Sequence, residues 1–162
     1  MSHAYKNRDS KLETSGKIVG FYEREFYCFS NFSSFSVKWR GKLWQTAEHA
    51  YQASRFMNKK PKVVVQIFKA LSADEAYKIA QKNKRADFND YRDVDLKNME
   101  DILRAKLSQN PYVMHKLLQT GDRKIVEDSP KDSFWGWGKN RKGRNELGKI
   151  WMKLRGEIKD NL

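Results

Sequence analysis

Residues 44–56 read Trp-Gln-Thr-Ala-Glu-His-Ala-Tyr-Gln-Ala-Ser-Arg-Phe and predict a short helix with a sharp start. Thr46 is a good N-cap, because its hydroxyl can accept a backbone N–H of the first turn. Glu48 then lies where the helix dipole favours a negative charge. Glu48, Gln52 and Arg55 are spaced i, i+4 and i+7, so they share one face. An acid, an amide and a cation beside aromatic residues indicate one wall of a polar pocket.

The remaining periodicity predicts an α+β fold that is mainly α-helical, with a few short strands near the N-terminus. Proline at a first turn and a Ser-x-x-Glu capping box mark helix starts, and glycine marks a stop at Gly121. The predicted strands lie at 17–22, 37–39, 42–44 and 125–126, and the later helices begin at Pro61, Ser72, Leu96, Pro111 and Leu147.

Apolar spacing also predicts which helix faces are buried. The predicted inward positions of two helices are Val63, Val64, Ile67, Phe68 and Leu71, and Val113, Met114, Leu117 and Leu118.

Length and composition limit the class of protein. The 162 residues fit one domain, predicted at 16–162 after a flexible arm at 1–15. A net charge of +13 attracts polyanions such as nucleic acid or phosphorylated ligands. The lone cysteine, Cys28, fits a reducing compartment and is expected to be a buried, inert thiol. Neither a signal core nor a membrane-length apolar run is present, so we expect a cytoplasmic protein without a membrane partner.

Three segments are richer in polar and aromatic residues than a core requires, namely 28–32, the helix at 46–56 and 128–145. Aromatic rings beside small residues can form a slot for a planar base, and glycines at 136, 138 and 143 allow close approach to a ligand. The alternative is that the tryptophans are core residues and the glycines form turns. The basic cluster at 139–144 directly follows the tryptophan–glycine stretch at 134–138 and can attract a phosphate or a nucleic-acid strand.

Glu48 and Asp132 are the carboxylates that we pair as a candidate catalytic couple. Together they can stabilise an oxocarbenium-like transition state or activate water during cleavage of a glycosidic bond. The alternatives are a helix-dipole partner for Glu48 and a turn cap for Asp132. Three histidines without ligand spacing and a single cysteine argue against zinc, so we expect neither a metal nor a cofactor.

Four ordered motifs resemble the NADAR (YbiA-like) family, and the similarity runs from about residue 17 to 158. The motifs lie at 29–32 (Phe-Ser-Asn-Phe), 46–53 (Thr-Ala-Glu-His-Ala-Tyr-Gln-Ala), 132–136 (Asp-Ser-Phe-Trp-Gly) and 143–148 (Gly-Arg-Asn-Glu-Leu-Gly). The resemblance implies a compact, mainly helical α+β fold. It also implies an N-glycosidase that cleaves the bond between ribose and a nitrogen base, in riboflavin-pathway intermediates or in ADP-ribosylated guanine of nucleic acid.

The resemblance also implies roles for single residues. Glu48 and Asp132 match carboxylates assigned to catalysis. Arg55 occupies a third catalytic position, where the family usually has a lysine that attacks the ring-opened ribose to form an imine. A guanidinium stays protonated and is a poor nucleophile, although it can clamp a phosphate or a sugar hydroxyl. The implied substrate-binding residues are Phe29, Ser30, Asn31, His49, Gln52, Arg85, Phe88 (where the family tends to have Trp), Trp135, Gly136 and Asn145.

Three functions remain open from the sequence. The first is an N-glycosidase of ADP-ribosylated guanine on nucleic acid, which the large positive charge favours. The second is an N-glycosidase of small riboflavin-biosynthesis intermediates. The third is a catalytically impaired module that binds ADP-ribose or modified nucleic acid, which the replacement of lysine by Arg55 favours.

Overall fold

The structure, a computed structural model, describes residues 16–84 and 92–162 and confirms a mainly helical α+β fold. The predicted arm at 1–15, Arg85 and Phe88 lie outside the described residues. Four strands are present in this part of the chain, β1 (Ile18–Phe21), β2 (Val37–Trp39), β3 (Lys42–Trp44) and β4 (Lys124–Glu127). A 3-10 helix (Arg24–Phe29) accompanies helices α1 (Ala47–Ser54), α2 (Pro61–Lys69), α3 (Ala73–Asn83), α4 (Arg92–Gln109), α5 (Pro111–Gln119) and α6 (Glu146–Asp160).

The described residues form two compact units, one within residues 28–116 and one from residues 16–27 and 117–162. In the latter unit, β1 and β4 pair in parallel, with Ile18 opposite Lys124 and Phe21 opposite Glu127. Helix α6 packs on β4. The centre of this unit is a small apolar core of Val19, Phe21, Ile125, Val126 and Trp151.

In the unit of residues 28–116, α1 packs against α2, α3 and α4. The predicted hairpin is present as β2 and β3, and Arg40 and Gly41 both have positive φ values (48° and 75°). Such a turn matches the natural twist of two strands. Large side chains buried in this unit include Trp44, Phe56, Ile67, Met99 and Ile102.

Local start signals in the sequence are confirmed. The Thr46 hydroxyl accepts the backbone N–H of His49 at 3.2 Å and begins α1. The Ser72 hydroxyl accepts the N–H of Glu75 at 3.1 Å, and the Glu75 carboxylate accepts the N–H of Leu71 at 2.6 Å. The carboxylate therefore reaches one residue further back than in a standard capping box.

The predicted buried faces are partly wrong. Phe68 is 38% exposed and packs edge-on against Trp44, while Leu71 lies beyond the end of α2 and is 87% exposed. In α5, Val113 and Leu117 are buried, but Leu118 is exposed and Met114 half-buried. In each of these short helices, fewer apolar side chains are buried than the sequence pattern predicts. Within residues 16–84 and 92–162, none of the helices has the length and apolar character needed to cross a bilayer.

Candidate active site

Glu48 and Gln52 form the buried centre of the polar face on α1. Their exposures are 5% and 3%. The amide Nε2 of Gln52 donates to Oε1 of Glu48 at 2.7 Å. The i, i+4 spacing on a helix makes this bond possible, and the bond holds the carboxylate in one orientation.

A turn at residues 30–33 lies against the start of α1. The backbone N–H of Glu48 donates to the backbone oxygen of Asn31 at 3.0 Å. The side-chain Nδ2 of Asn31 contacts Sδ of Met99 at 3.3 Å. Ser30 and Asn31, both predicted substrate-binding residues, are therefore brought next to the first turn that carries Glu48.

Two buried acceptors in this region lack a donor within the described residues. They are Oδ1 of Asn31 and Oε1 of Gln52. A buried acceptor without a hydrogen bond costs about 1–3 kcal/mol. The arrangement therefore suits a ligand or a water that carries O–H or N–H donors.

Arg55 follows α1 and lines a neighbouring pocket. Its Nε lies 3.8 Å from Oδ2 of Asp95, and its guanidinium carbon lies 5.9 Å from the centre of the Tyr51 ring. Both partners of the ion pair are largely buried, at 14% and 10% side-chain exposure. The pocket has a volume of about 200 Å³ and is lined by Ser54, Arg55, Asn58, Lys59, Val94, Asp95 and Asn98.

His49 is held by the protein at both ring nitrogens. Nδ1 lies 2.8 Å from the Thr46 hydroxyl, and Nε2 lies 3.1 Å from the backbone oxygen of Ala70. Because a carbonyl only accepts, Nε2 carries the proton, and Nδ1 accepts from Thr46. Burial lowers the pKa of His49. This geometry favours a structural role in fixing α1, in place of the predicted contact with the substrate.

Phe29 is also an interior residue, with 0% exposure. Full burial favours a packing role over the predicted contact with a ligand. Cys28 beside it is 3% exposed, and burial raises the pKa of its thiol to about 11, which agrees with the expected inert thiol.

Asp132 organises the tryptophan–glycine segment in the other unit. Its Oδ1 accepts the backbone N–H groups of Phe134 and Trp135, both at 2.8 Å. The predicted turn cap is therefore present, and Asp132 is half-buried. The two hydrogen bonds fix the direction in which the carboxylate points.

Trp135 and Gly136 follow this cap. Trp135 is half-buried and packs edge-on against Phe134, with ring centres 4.8 Å apart. A Cβ on Gly136 would lie 2.7 Å from the backbone oxygen of Glu127 and 2.9 Å from that of Asp132. Glycine is required at position 136 because the protein's own backbone lies this close. The expected reason was close approach of a ligand.

Asn145 joins β4 to the start of α6. Its Nδ2 donates to the backbone oxygen of Ile125, and its Oδ1 accepts the N–H of Glu127, both at 2.9 Å. Asn145 has a left-handed backbone (φ 53°), a conformation that asparagine tolerates. The hydrogen bonds favour a structural role over the predicted contact with the substrate.

Helix α4 contributes polar residues that the sequence reasoning missed. Asp95, Asn98 and Lys106 are all buried, whereas Val94 is 55% exposed. The three buried polar residues are spaced i, i+3 and i+11, which places them on the same side of the helix as Ile102. The sequence does contain a signal for these residues: they are polar, yet they occupy positions that helical periodicity assigns to the core.

Comparisons with known proteins agree with the described fold. The NADAR domain family matches residues 20–159. An N-glycosidase of Nostoc punctiforme is 35% identical over 147 residues, which cover 89% of this chain and 94% of that protein. The solution structure of Escherichia coli YbiA superimposes with a TM-score of 0.76 at 32% identity, covering 90% of this chain and 86% of YbiA.

A longer relative carries a different description. A riboflavin biosynthesis protein of Vibrio vulnificus is 35% identical over 132 residues, or 82% of this chain. The matched region is 35% of that protein, so the chain corresponds to about a third of its length.

Proposed function

Because this chain belongs to the NADAR domain family, we propose that it is an N-glycosidase that cleaves the bond between a ribose and a nitrogen base. The observation that carries this proposal is the buried Glu48 carboxylate, held by Gln52 at 2.7 Å beside two buried acceptors without described donors. The name of the Nostoc relative supports the same reaction class.

The proposed chemistry requires stabilisation of positive charge on the sugar. As the C1′–N bond breaks, its electron pair leaves with the base, and charge develops on C1′ and the ring oxygen. Water then adds its oxygen to C1′, one of its protons is released, and the base nitrogen gains a proton. A carboxylate in a buried site stabilises such charge more strongly than one in water. We assign this role to Glu48.

The neighbouring acceptors have a matching role in substrate binding. Oδ1 of Asn31 and Oε1 of Gln52 accept hydrogen bonds, and the hydroxyls of ribose and the N–H groups of guanine donate them. We assign the second carboxylate role to Asp132. Its Oδ1 is occupied by two backbone N–H groups, so Oδ2 is the oxygen that we assign to water or to the leaving base.

For the substrate we propose ADP-ribosylated guanine in nucleic acid. The net charge of +13 favours a polyanion, and Lys139, Arg141, Lys142 and Arg144 are exposed near Trp135 in the same unit. The buried Cys28 agrees with a location in the reducing cytoplasm, which we include in the proposal.

The test is incubation with an oligonucleotide that carries ADP-ribosylated guanine, with mass spectrometry of the products. We expect release of ADP-ribose and restoration of unmodified guanine. Glu48→Gln, which retains size but removes the charge, should lower the rate by about 10²- to 10⁴-fold. Intact substrate after prolonged incubation with the wild type would reject this substrate.

A riboflavin-pathway intermediate is the second candidate, because the Vibrio relative is named a riboflavin biosynthesis protein. This function predicts release of ribose 5-phosphate from small phosphorylated intermediates. Salt separates the two substrates: raising it from about 50 to 200 mM should strongly weaken action on a polymer but not on a small molecule. Turnover of the intermediate alone, with little salt dependence, would favour this candidate.

The third candidate is a binding module without turnover, which the arginine at position 55 favours, because a guanidinium is a poor nucleophile. A guanidinium can bind a phosphate through two parallel hydrogen bonds, which suits recognition of ADP-ribose. Calorimetry with ADP-ribose, together with the turnover assay, distinguishes this function. Tight binding without any product from either substrate would support it.

A further inference from the structure

Lys106 is fully buried in α4, although lysine is a residue that normally reaches water. Its Nζ donates to the backbone oxygen of Ser30 and to the hydroxyl of Ser33, both at 2.9 Å. The Phe35 ring lies 5.4 Å from the same nitrogen. A buried amine is tolerated only where such partners replace water.

These contacts close the turn that presents Asn31. The Ser33 hydroxyl, which accepts from Lys106, lies 2.7 Å from the backbone oxygen of Ser30 and donates to it. Lys106 therefore binds two members of one small hydrogen-bonded ring. Asn31 lies between Ser30 and Ser33 in the chain, and its backbone oxygen accepts the N–H of Glu48.

Helix α4 holds this turn at two points. Met99 contacts the side-chain amide of Asn31, and Lys106, seven residues later on the same helix face, binds Ser30 and Ser33. The Nζ hydrogen bonds of Lys106 at this turn go to protein acceptors, the Ser30 oxygen and the Ser33 hydroxyl. The position and contacts of Lys106 therefore connect α4 to the residues beside Glu48.

We infer that Lys106 is a positioning residue, which fixes the turn at residues 30–33 so that Asn31 stays hydrogen-bonded to the first turn of α1. The effect on catalysis rests on the proposed N-glycosidase function, whereas the effect on the turn does not. Burial lowers the pKa of Lys106 to about 7, consistent with an amine held in an apolar setting near Cys28.

The first test measures the turn without using activity. In Lys106→Met, hydrogen exchange of the Glu48 amide should accelerate about tenfold relative to the Ala50 amide, which donates to Thr46 within α1. Val113→Ala, a change at a buried apolar residue of α5, is the matched control for general loss of stability. It should accelerate both amides together or neither.

Ser33→Ala provides a second variant if Lys106→Met does not fold. It removes the hydroxyl acceptor and leaves the lysine in place, so Glu48 exchange should again rise selectively. Equal acceleration at Glu48 and Ala50, or no change at either, would overturn the inference.

The second test uses the turnover assay and a double mutant. Lys106→Met and Asn31→Ala should each lower kcat/KM by about 10- to 100-fold, since small displacements at an active site are costly. If Lys106 acts through Asn31, the double variant should be no slower than Asn31→Ala. Independent, multiplying losses would contradict this route. A wild type without turnover would count against the proposed function, and hydrogen exchange would still decide the role of Lys106.

Discussion

Gln52 donates from Nε2 to Oε1 of Glu48 across 2.7 Å, and both side chains are buried on one face of α1. A single amide thus orients the carboxylate through its nitrogen, while its own oxygen has no described donor. One end of this side chain therefore positions the carboxylate, and under the proposed function the other end is available to bind the substrate.

This relationship predicts the effect of Gln52→Met. Methionine keeps much of the side-chain volume but cannot donate to Glu48 or accept from a ligand. We expect kcat/KM to fall by about 10- to 100-fold, because a carboxylate that is not held in place stabilises the transition state less well. Steady-state kinetics measure this loss. A variant with wild-type kcat/KM would show that orientation by Gln52 is not needed.

Arg55→Lys tests whether lysine chemistry is accessible in this chain. A primary amine can attack the ring-opened ribose to form an imine, which a guanidinium does not readily do. We expect kcat to rise by about tenfold, or about 1.4 kcal/mol of activation free energy. Borohydride should then trap a covalent ribose adduct at position 55 in this variant and not in the wild type, and mass spectrometry detects the adduct.

The matched control is Lys59→Arg, which changes another cation of the same pocket in the opposite sense. It should leave kcat nearly unchanged and produce no adduct. If Arg55→Lys neither raises kcat nor yields an adduct, while the wild type is active, the reaction does not require a lysine here.

His49 predicts a loss of stability in mild acid. Burial holds its folded-state pKa below 6.5, so the folded protein binds this proton less readily than the unfolded chain. The contribution of the neutral His49 ring to the free energy of unfolding is complete above pH 6.5. It is lost as the pH falls through the folded-state pKa. Denaturant unfolding at pH 5 to 8 measures it. His49→Gln should be less stable at neutral pH and show a smaller decrease in acid.

The tight surroundings of Gly148 predict that one added methyl group will destabilise the folded protein. A Cβ there would collide with the backbone oxygen of Ile125 and would lie 2.5 Å from the side chain of Asn145. Gly148→Ala should lower the free energy of unfolding by about 1–3 kcal/mol or more. Gly156→Ala is the control in the same helix, because nothing lies within 4 Å of its added Cβ. Alanine there should stabilise α6 by about 0.4–1 kcal/mol.

Local signals allowed the helices to be predicted from the sequence. Thr46, Ser72 and Pro61 act on the backbone within a few residues of themselves, so their effects can be read without knowing the fold. The polar face of Glu48 and Gln52 follows from helical spacing alone, and the structure places both side chains in one hydrogen bond.

Long-range partners explain what the sequence could not reveal. The ring of His49 is fixed by Ala70, and the amide of Asn145 is fixed by Ile125, about twenty residues away in each case. The burial of Asp95 and Lys106 likewise depends on side chains from distant segments. Residues at motif positions therefore divide into those that contact one another on α1, such as Glu48 and Gln52, and those whose hydrogen bonds fix the backbone around them.

The parallel pairing of β1 with β4 has a consequence for synthesis of the chain. Ile18 leaves the ribosome more than a hundred residues before its partner Lys124, while the α1–α4 packing lies entirely between them. Closing so long a loop carries an entropic cost that local helix contacts avoid. We therefore expect residues 28–116 to fold first during translation and β1 to wait unpaired until β4 has emerged.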